Sequence, residues 1–313
     1  MKMGFVVDPL DHLKPYKDSS VAMMREAARR GHEIHAFEAR EMFVGETSVR
    51  ATTRRLDVSE DDRAWYRAGP DEERGLASLD LVLMRKDPPF DQEYYYATLL
   101  LERAEAEGTR VVNNPRALRD WNEKLSILRF PELAPPTIVT SDQALLQRFI
   151  DKHQDVVVKK LDGMGGTMIF RVVANDPNRN VILETITDLG QRTIMAQRYL
   201  AEIADGDKRV LVIDGKPFPH CLARIPKAGE TRGNLAAGGR GVARPLTARD
   251  REIGEIVGRA AAREGIVFAG LDVIGDWLTE INVTSPTCIV EIAEQTRENA
   301  AVPLLDALER LSR

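Results

Sequence analysis

Between Gly270 and Thr284 the chain reads Gly-Leu-Asp-Val-Ile-Gly-Asp-Trp-Leu-Thr-Glu-Ile-Asn-Val-Thr, two apolar strand-like runs broken by a glycine-led turn. Charged groups inside such strands constrain the fold, because burying them requires a partner of opposite charge. A three-residue loop at Gly275, Asp276 and Trp277 pairs Ile274 with Leu278 and sets Asp272 opposite Glu280, with Asn282 two residues further along the same face. Three oxygen-bearing side chains then converge. Oxygen ligands suit a hard cation such as Mg2+, which keeps several waters and bridges to substrate phosphates. The spacing therefore predicts a metal site at Asp272, Glu280 and Asn282 with a phosphate-bearing ligand beside it. The competing reading is a solvated hairpin whose polar residues face water.

A second feature favours the phosphate. Val156-Val157-Val158 runs into Lys159-Lys160-Leu161-Asp162-Gly163-Met164-Gly165-Gly166-Thr167, and Met168 to Val173 follows as another strand-like run. A dinucleotide-binding loop needs a helix after its glycines, and the β-branched and aromatic residues here argue against one. The spacing also fails the P-loop pattern, and there is no Gly-x-Ser-x-Gly elbow. A strand–glycine–strand tip can instead lie flat over a polyphosphate and donate backbone N–H groups. An ordinary tight turn is the alternative.

These segments resemble the ATP-grasp ligases, and among them the bacterial glutathione synthetases. The resemblance extends along nearly the whole chain, through Met84 to Phe90, Leu161 to Gly166, Asp205 to Val212, Leu222 to Pro226, Gly229 to Gly241 and Thr279 to Thr287. It implies ligation of γ-glutamylcysteine to glycine with cleavage of ATP to ADP and phosphate, through an acyl phosphate, using Mg2+ or Mn2+. It implies nucleotide binding by Lys124, Lys159, Gly163, Gly165, Gly166, the linker Gln197, Tyr199 and Leu200, and Asp207 at the ribose. Arg209, Arg224 and Arg232 become the catalytic guanidinium groups; the planar fork of arginine suits phosphate and carboxylate oxygens. Lys208 and Arg209 are successive strand residues facing opposite ways, so only one easily faces the nucleotide, and Arg209 is the expectation. Arg85, Arg224 and Ser285 are expected to hold the peptide substrate, with Asp18 and Ser19 at its far γ-glutamyl end; Ser19 serves equally well as a helix N-cap. A homo-oligomer, a tetramer by family resemblance, is also implied.

Composition excludes other classes without selecting this one. The 313 residues are 43% apolar with a formal net charge of −5, enough to bury a substantial core and lacking any Lys/Arg block that would mark a nucleic-acid partner. Cys221 and Cys288 are far apart and lack Cys-x-x-Cys spacing, which points away from a disulfide framework or zinc site and towards a reducing cytosol. The apolar run after Lys2 ends at Asp8-Pro9, too short for a secretory signal, and no stretch approaches a membrane crossing. A soluble cytoplasmic protein is expected.

Alternating strand and helix patterns predict an α/β class. Strands at Gly4–Val7, Glu33–Phe37, Leu79–Met84 and Thr109–Val112, with helices at Ser19–Arg30 and Gln92–Glu107, make an N-terminal domain over 1–122 with a mostly parallel sheet. The polar insertion Glu46–Gly75 reads as a hairpin or irregular excursion, with Arg50 and Arg54 on a solvated face. A two-lobed ATP-grasp α+β module follows: residues 123–200 carry the glycine loop and residues 201–313 the metal hairpin. Asp214-Gly215 is a two-residue hairpin signal within the second lobe. The glycines from Gly229 to Gly241, with few large apolar anchors, fit either a disordered loop or a lid; the resemblance implies a lid over 225–241 that carries Arg232 and shields an acyl phosphate from water. The histidines lack metal-ligand or acid/base companions and read as structural. A different ATP-grasp ligase, or a non-catalytic ATP-binding protein of the same fold, would share the glycine loop and metal hairpin.

Overall fold

The computed structural model describes residues 1–230, 232–233, 235 and 238–312. It opens with β1 (Lys2–Val6), α1 (Ser19–Arg29), β2 (Glu33–Phe37), β3 (Met42–Val44), β4 (Val49–Val58), β5 (Tyr66–Gly75), β6 (Leu81–Met84), α2 (Gln92–Ala106), β7 (Val111–Val112) and α3 (Pro115–Asp120). Strands β2, β1, β6 and β7 lie side by side and parallel, which is what strand–helix–strand crossovers produce. Alternation is absent from β1 because both its faces are covered: Met3, Phe5 and Val6 are fully buried. The polar insertion supplies the antiparallel part, for β4 pairs with β2 and β3 along one edge and with β5 along the other. Arg50 and Arg54 hold this arm together through Glu73 (2.6 Å) and Glu41 (2.8 Å).

The central lobe comprises β8 (Thr137–Thr140), α4 (Gln143–His153), β9 (Asp155–Lys160), β10 (Ile169–Val173), α5 (Arg179–Ile186) and β11 (Ile194–Arg198). Its four strands, ordered β10-β9-β11-β8, are antiparallel throughout. One face is covered by α4 and α5, whose Leu146, Ile150, Leu183 and Ile186 pack on Val156, Val158 and Ile194. The helices lie on one side only. The glycine tip is therefore left free to overhang the opposite side.

The last lobe contains β12 (Asp207–Ile213), β13 (Lys216–Ile225), β14 (Arg240–Pro245), α6 (Ala248–Arg263), β15 (Phe268–Ile274), β16 (Trp277–Asn282), α7 (Ile289–Thr296) and α8 (Ala301–Leu311). Its sheet runs β14-β13-β12-β15-β16. Asp214 and Gly215 both have positive φ (48° and 77°), the conformation that a tight two-residue hairpin turn demands. α6 starts with a capping box in which the Thr247 side chain accepts from Asp250 N–H and the Asp250 carboxylate accepts from Thr247 N–H.

The first and last parts share a core. Residues of α1 and β1 pack in one apolar cluster with Ile289, Leu304, Leu305 and Leu308. The seam is polar as well: Asn113 donates to the carbonyls of Phe268 and Val283 (both 2.8 Å) and accepts from Val267 and Phe268 N–H. No helix among the described residues is long and apolar enough to cross a membrane.

Trp121 ends α3 with no exposed surface, its Nε1 donating to Glu264 (2.8 Å) and the guanidinium of Arg129 lying 4.7 Å from its ring. It ties the first connection to α6 and the last lobe. Trp121→Ala is expected to destabilise the fold by about 3–5 kcal/mol, through lost burial plus a cavity. Urea unfolding measures this; a loss below about 1 kcal/mol would show that the ring is not part of the joint.

Candidate active site

The metal-hairpin expectation needs one correction. The loop between β15 and β16 has two residues, Gly275 and Asp276, so that Ile274 pairs with Trp277 and Val273 with Leu278. That register alone would place Asp272 opposite Thr279. A bulge between Asp272 and Val273 absorbs one residue, Thr279 turns its hydroxyl onto the Asp272 carbonyl (3.1 Å), and Asp272 falls opposite Glu280 after all. The turn is tighter than supposed because Gly275 adopts φ +56°. Asn282 lies opposite Gly270, one pleat further on the same face, and its Nδ2 donates to the Gly270 carbonyl (3.0 Å), which turns its Oδ1 the other way.

Neighbouring strands complete this face. Arg209 pairs with Asp272 across β12 and β15, and Asp207 pairs with Arg224 across β12 and β13. Arg209 donates Nε to Asp272 Oδ1 (2.6 Å), and Arg224 donates Nη2 to Asp272 Oδ2 (2.8 Å) and to Asp207 Oδ2. Lys208, on the other face as strand alternation requires, pairs with Asp250 beneath α6. All four members of the network are buried. Burial works against ionising Asp272, yet the guanidinium groups of Arg209 and Arg224 hold it well below the usual carboxylate range. Burial instead pushes Asp207 up to about 6 against the pull of Arg224, and its Oδ1 has no hydrogen-bond partner.

Opposite this face hangs the tip between β9 and β10, with Gly165 and Gly166 at φ +62° and +83°. Lys124 joins tip to hairpin: its Nζ donates to the Gly163 carbonyl (2.6 Å) and to Glu280 Oε1 (3.1 Å). Buried Lys159 donates to the Thr279 carbonyl (3.3 Å), and burial pulls its ammonium below the ordinary lysine range. Between the two sheets lies a cavity of about 300 Å3. Its lining unites Lys124, Lys159, Gly163, Gly165, Gly166, Gln197, Tyr199, Leu200, Asp207, Arg209, Arg224, Arg232, Asp272, Glu280, Asn282 and Ser285.

Three expected substrate residues are elsewhere. Asp18 caps α1, accepting from Ser20 and Val21 N–H (2.7 and 3.1 Å), and Ser19 accepts from Ile289 N–H (3.3 Å). Arg85 is buried, donating to Ser20 Oγ and the Pro286 carbonyl (both 3.0 Å), and lies outside the cavity lining. Arg85 and Ser19 join the N-terminal domain to the last lobe and Asp18 caps its helix, roles that pattern reading cannot tell from ligand binding. The linker also differs in detail: Arg198 and Tyr199 N–H are spent on the carbonyls of Pro136 and Asp155 (both 3.0 Å). Of the lid stretch 225–241, Thr231, Asn234, Ala236 and Ala237 lie outside the described residues. Arg232 does reach the tip, with Nη1 3.5 Å from the Gly166 carbonyl.

The sequence reading missed Glu123. Its carboxylate accepts from Thr284 Oγ1 (2.7 Å), its carbonyl accepts from Ile281 N–H (2.8 Å), and burial, with the Glu280 charge adding, pushes its carboxyl up. Asp87 also lines the cavity beside Ser285. Glu123 stands on a connection that no spacing marks, whereas Asp87 follows β6 at the carboxyl edge of the parallel sheet, where a sequence reading places ligands.

Residues 1–119 match the N-terminal domain of prokaryotic glutathione synthetase and residues 123–297 match its ATP-grasp domain. The chain belongs to the prokaryotic glutathione synthetase family. Similar relatives include glutathione synthetases of Salmonella typhimurium (54% identical), Nitrosomonas europaea (55%) and Escherichia coli K12 (53%), each alignment covering 99% of this chain and 98% of the relative. Among solved structures, D-cycloserine synthetase DcsG matches with a TM-score of 0.70 at 15% identity, covering 100% of both chains. The ATP-grasp ligase PsnB, complexed with a precursor peptide and AMPPNP, matches at 0.64 and 20% identity over 100% of this chain and 97% of its own. At such identities these two share the fold.

Two outcomes follow for this member of the glutathione synthetase family. A Cβ on Gly270 would lie 2.8 Å from Arg209 Cδ and 3.2 Å from Pro286 Cβ, so Gly270→Ala displaces the guanidinium; ADP release should fall by about 10²-fold, the cost of an ångström-scale misplacement. Retained circular dichroism with near-wild-type turnover would show that Arg209 has room to spare. Asp207 is raised from about 3.9 in an unfolded chain to about 6, so the folded state holds the extra proton between those values. Its contribution to stability is present below about pH 4 and is lost as pH rises through about 6. Relative to Asp207→Asn, wild type should therefore lose about 1–3 kcal/mol between pH 4 and 7; parallel urea-derived stabilities across that range would contradict it.

Proposed function

We infer that this chain joins γ-glutamylcysteine to glycine at the expense of ATP, giving glutathione, ADP and phosphate through an acyl phosphate. The observation that carries the reading is Lys124, one cation bonded at once to the glycine tip and to Glu280, at the point where a polyphosphate and its metal must meet. A full-length relationship to glutathione synthetases supplies the substrates.

The first step forms a bond between a cysteinyl carboxylate oxygen and the γ-phosphorus and breaks the bond to ADP, which leaves with the electron pair. In the second, the neutral amine of glycine attacks the acyl carbon, the carbon–oxygen bond to phosphate breaks, and the amine's surplus proton leaves with the phosphate or to water. No protein nucleophile is needed, and catalysis is positioning with electrostatic stabilisation. In our assignment Lys124, Lys159 and the N–H groups around Gly163, Gly165 and Gly166 receive the phosphates. Asp207 offers its unpartnered oxygen to a ribose hydroxyl. Gln197, Tyr199 and Leu200 line the cavity and are assigned to the base, although Arg198 and Tyr199 N–H are spent on neighbouring carbonyls. Arg209, Arg224 and Arg232 face the transferred phosphoryl and the acyl group, and Ser285 the peptide. Arg232, Gly233 and Leu235 are among the cavity-lining residues, and we assign the stretch 225–241 the part of a lid.

A divalent ion of the Mg2+ or Mn2+ kind fits the donor set: Glu280 is only partly committed to Lys124, Asn282 has its Oδ1 free of the Gly270 bond, and Asp272 retains lone pairs beyond its two arginine contacts. Bound there, it would neutralise phosphate charge as a Lewis acid. Asp272 has the most competition for its oxygens, which makes Glu280 and Asn282 the stronger ligands in this assignment. Buried, free Cys221 and Cys288 accord with a reducing compartment, so we place the enzyme in the cytoplasm. We assign it a homo-oligomeric state, a tetramer by family resemblance.

ADP release measured with and without γ-glutamylcysteine and glycine, alongside mass detection of glutathione, tests the reading. Release indifferent to both acceptor and donor would leave only an ATP-binding protein or ATPase. Glu280→Gln should cut turnover by on the order of 10²-fold and raise the Mg2+ requirement, since it removes an electrostatic stabiliser without removing volume. Near-wild-type turnover at low Mg2+ would take Glu280 out of the ligand set.

A further inference from the structure

The reaction uses one of two successive cations on β12. Arg209 faces the cavity, whereas the Lys208 side chain, only 14% exposed, is directed beneath α6. A charge taken that far out of water needs partners. The Lys208 ammonium pairs with fully buried Asp250 and donates to the Gly275 carbonyl (2.9 Å). Asp250 belongs to the capping box that starts α6, its second oxygen accepting from Thr247 N–H (3.0 Å), so the ion pair is fixed to the first turn of that helix. One residue earlier on α6, Arg249 donates Nε to the Asp276 carbonyl (3.1 Å). Gly275 and Asp276 are the two turn residues of the metal hairpin, and each thus gives its carbonyl to a cation on the α6 side.

The open end of the hairpin is held too, by the Asn113 amide on the carbonyls of Phe268, where β15 begins, and Val283, just past β16 (both 2.8 Å). Between the two clamps lies the bulge at Asp272 and Val273, and Lys208 stands opposite Val273 across β12 and β15. The bulge decides which side chains reach the cavity. An unbulged hairpin on the same two-residue turn would set Asp272 opposite Thr279 and Glu280 opposite Leu271, which turns Glu280 to the other face. Resting on the ligase reading, we propose that Lys208, with Asp250 and Arg249, is a positioning group for the reaction: from behind the sheet it pins the hairpin turn and keeps the extra residue in the bulge, so that Glu280 and Asn282 stay on the cavity face beside Asp272 and Arg209. It touches no substrate. An ammonium suits this task because its several N–H donors serve a carboxylate and a carbonyl at once, which a methionine of similar length cannot do.

Wild type, Lys208→Met and Arg249→Ala are compared in two measurements. Amide hydrogen exchange of the protein without nucleotide or metal should quicken about 10-fold over residues 268–283 in Lys208→Met, with α8 and the central sheet exchanging as in wild type, because local opening and global unfolding are separate events. The Mg2+ concentration giving half-maximal ADP release should rise about 10-fold in Lys208→Met and about threefold in Arg249→Ala, while KM for γ-glutamylcysteine stays within about twofold, as a displaced metal ligand and an undisturbed peptide site require. A merely structural lysine would lower stability and leave the Mg2+ requirement alone. An unchanged Mg2+ requirement in the variants, or exchange that quickens equally in α8, would overturn the assignment. Should Lys208→Met fail to fold, Arg249→Ala decides by the same two readouts, since its contact with the turn is at the surface. Absence of γ-glutamylcysteine-dependent ADP release from wild type would instead sink the ligase reading, and hydrogen exchange would still judge the anchor.

Discussion

The buried quartet of Asp207, Arg209, Arg224 and Asp272 is the constraint on which the last lobe depends. Two guanidinium groups and two carboxylates out of water are tolerable only if each lone pair and donor finds a partner, because desolvating an ion costs several kcal/mol. The pairing Arg209–Asp272 and Asp207–Arg224 across adjacent strands meets most of that demand, and it depends on this register. A slip of β12 by one residue would put Asp207 and Arg209 on the α6 face, where Lys208 and Asp250 form their own pair, and would leave Arg224 and Asp272 without them. The network is weak evidence for stability and strong evidence for a defined register. Asp207 Oδ1, left without a donor, is where the cluster remains unfinished and where a ligand hydroxyl has most to offer.

The same quartet explains why the cavity can serve phosphate. Arg209 and Arg224 are half-neutralised by Asp272 but held rigid by it, so they present oriented donors instead of mobile charges, as electrostatic preorganisation requires. Lys124 plays the complementary part on the central lobe. Its bonds to Gly163 and Glu280 bring tip and hairpin together, and a polyphosphate entering there exchanges one set of cation contacts for another.

Local patterns made much of this legible. Short apolar runs located β1, β2 and β6, the glycine spacing located the β9–β10 tip, and Asp214-Gly215 located the β12–β13 turn, because each depends on neighbours in sequence. The Asp272 and Glu280 alignment was legible for a partly mistaken reason: a two-residue turn and a bulge at Thr279 reproduce the facing that a three-residue loop would give. Bulges leave no sequence mark beyond a residue whose hydroxyl can satisfy a stray carbonyl, as Thr279 does.

What escaped the sequence was of another kind. Arg85, Asp18 and Ser19 carry the chemistry of a substrate site, and their actual partners are Pro286, α1 and Ile289, residues roughly 200 or more positions away in two cases. Whether a buried arginine meets ligand or carbonyl is decided by the docking of α7 and α8 on α1, a long-range event with no local signature. Glu123 is the converse case. It stands in a connection without periodicity, and only the return of β16 beside it, fixed by the Ile281 N–H bond to its carbonyl, turns an inconspicuous glutamate into part of the cavity wall. Residues on connections acquire function from what is folded against them, so Glu123 could be assigned to the cavity wall only after the hairpin and the tip had been placed together.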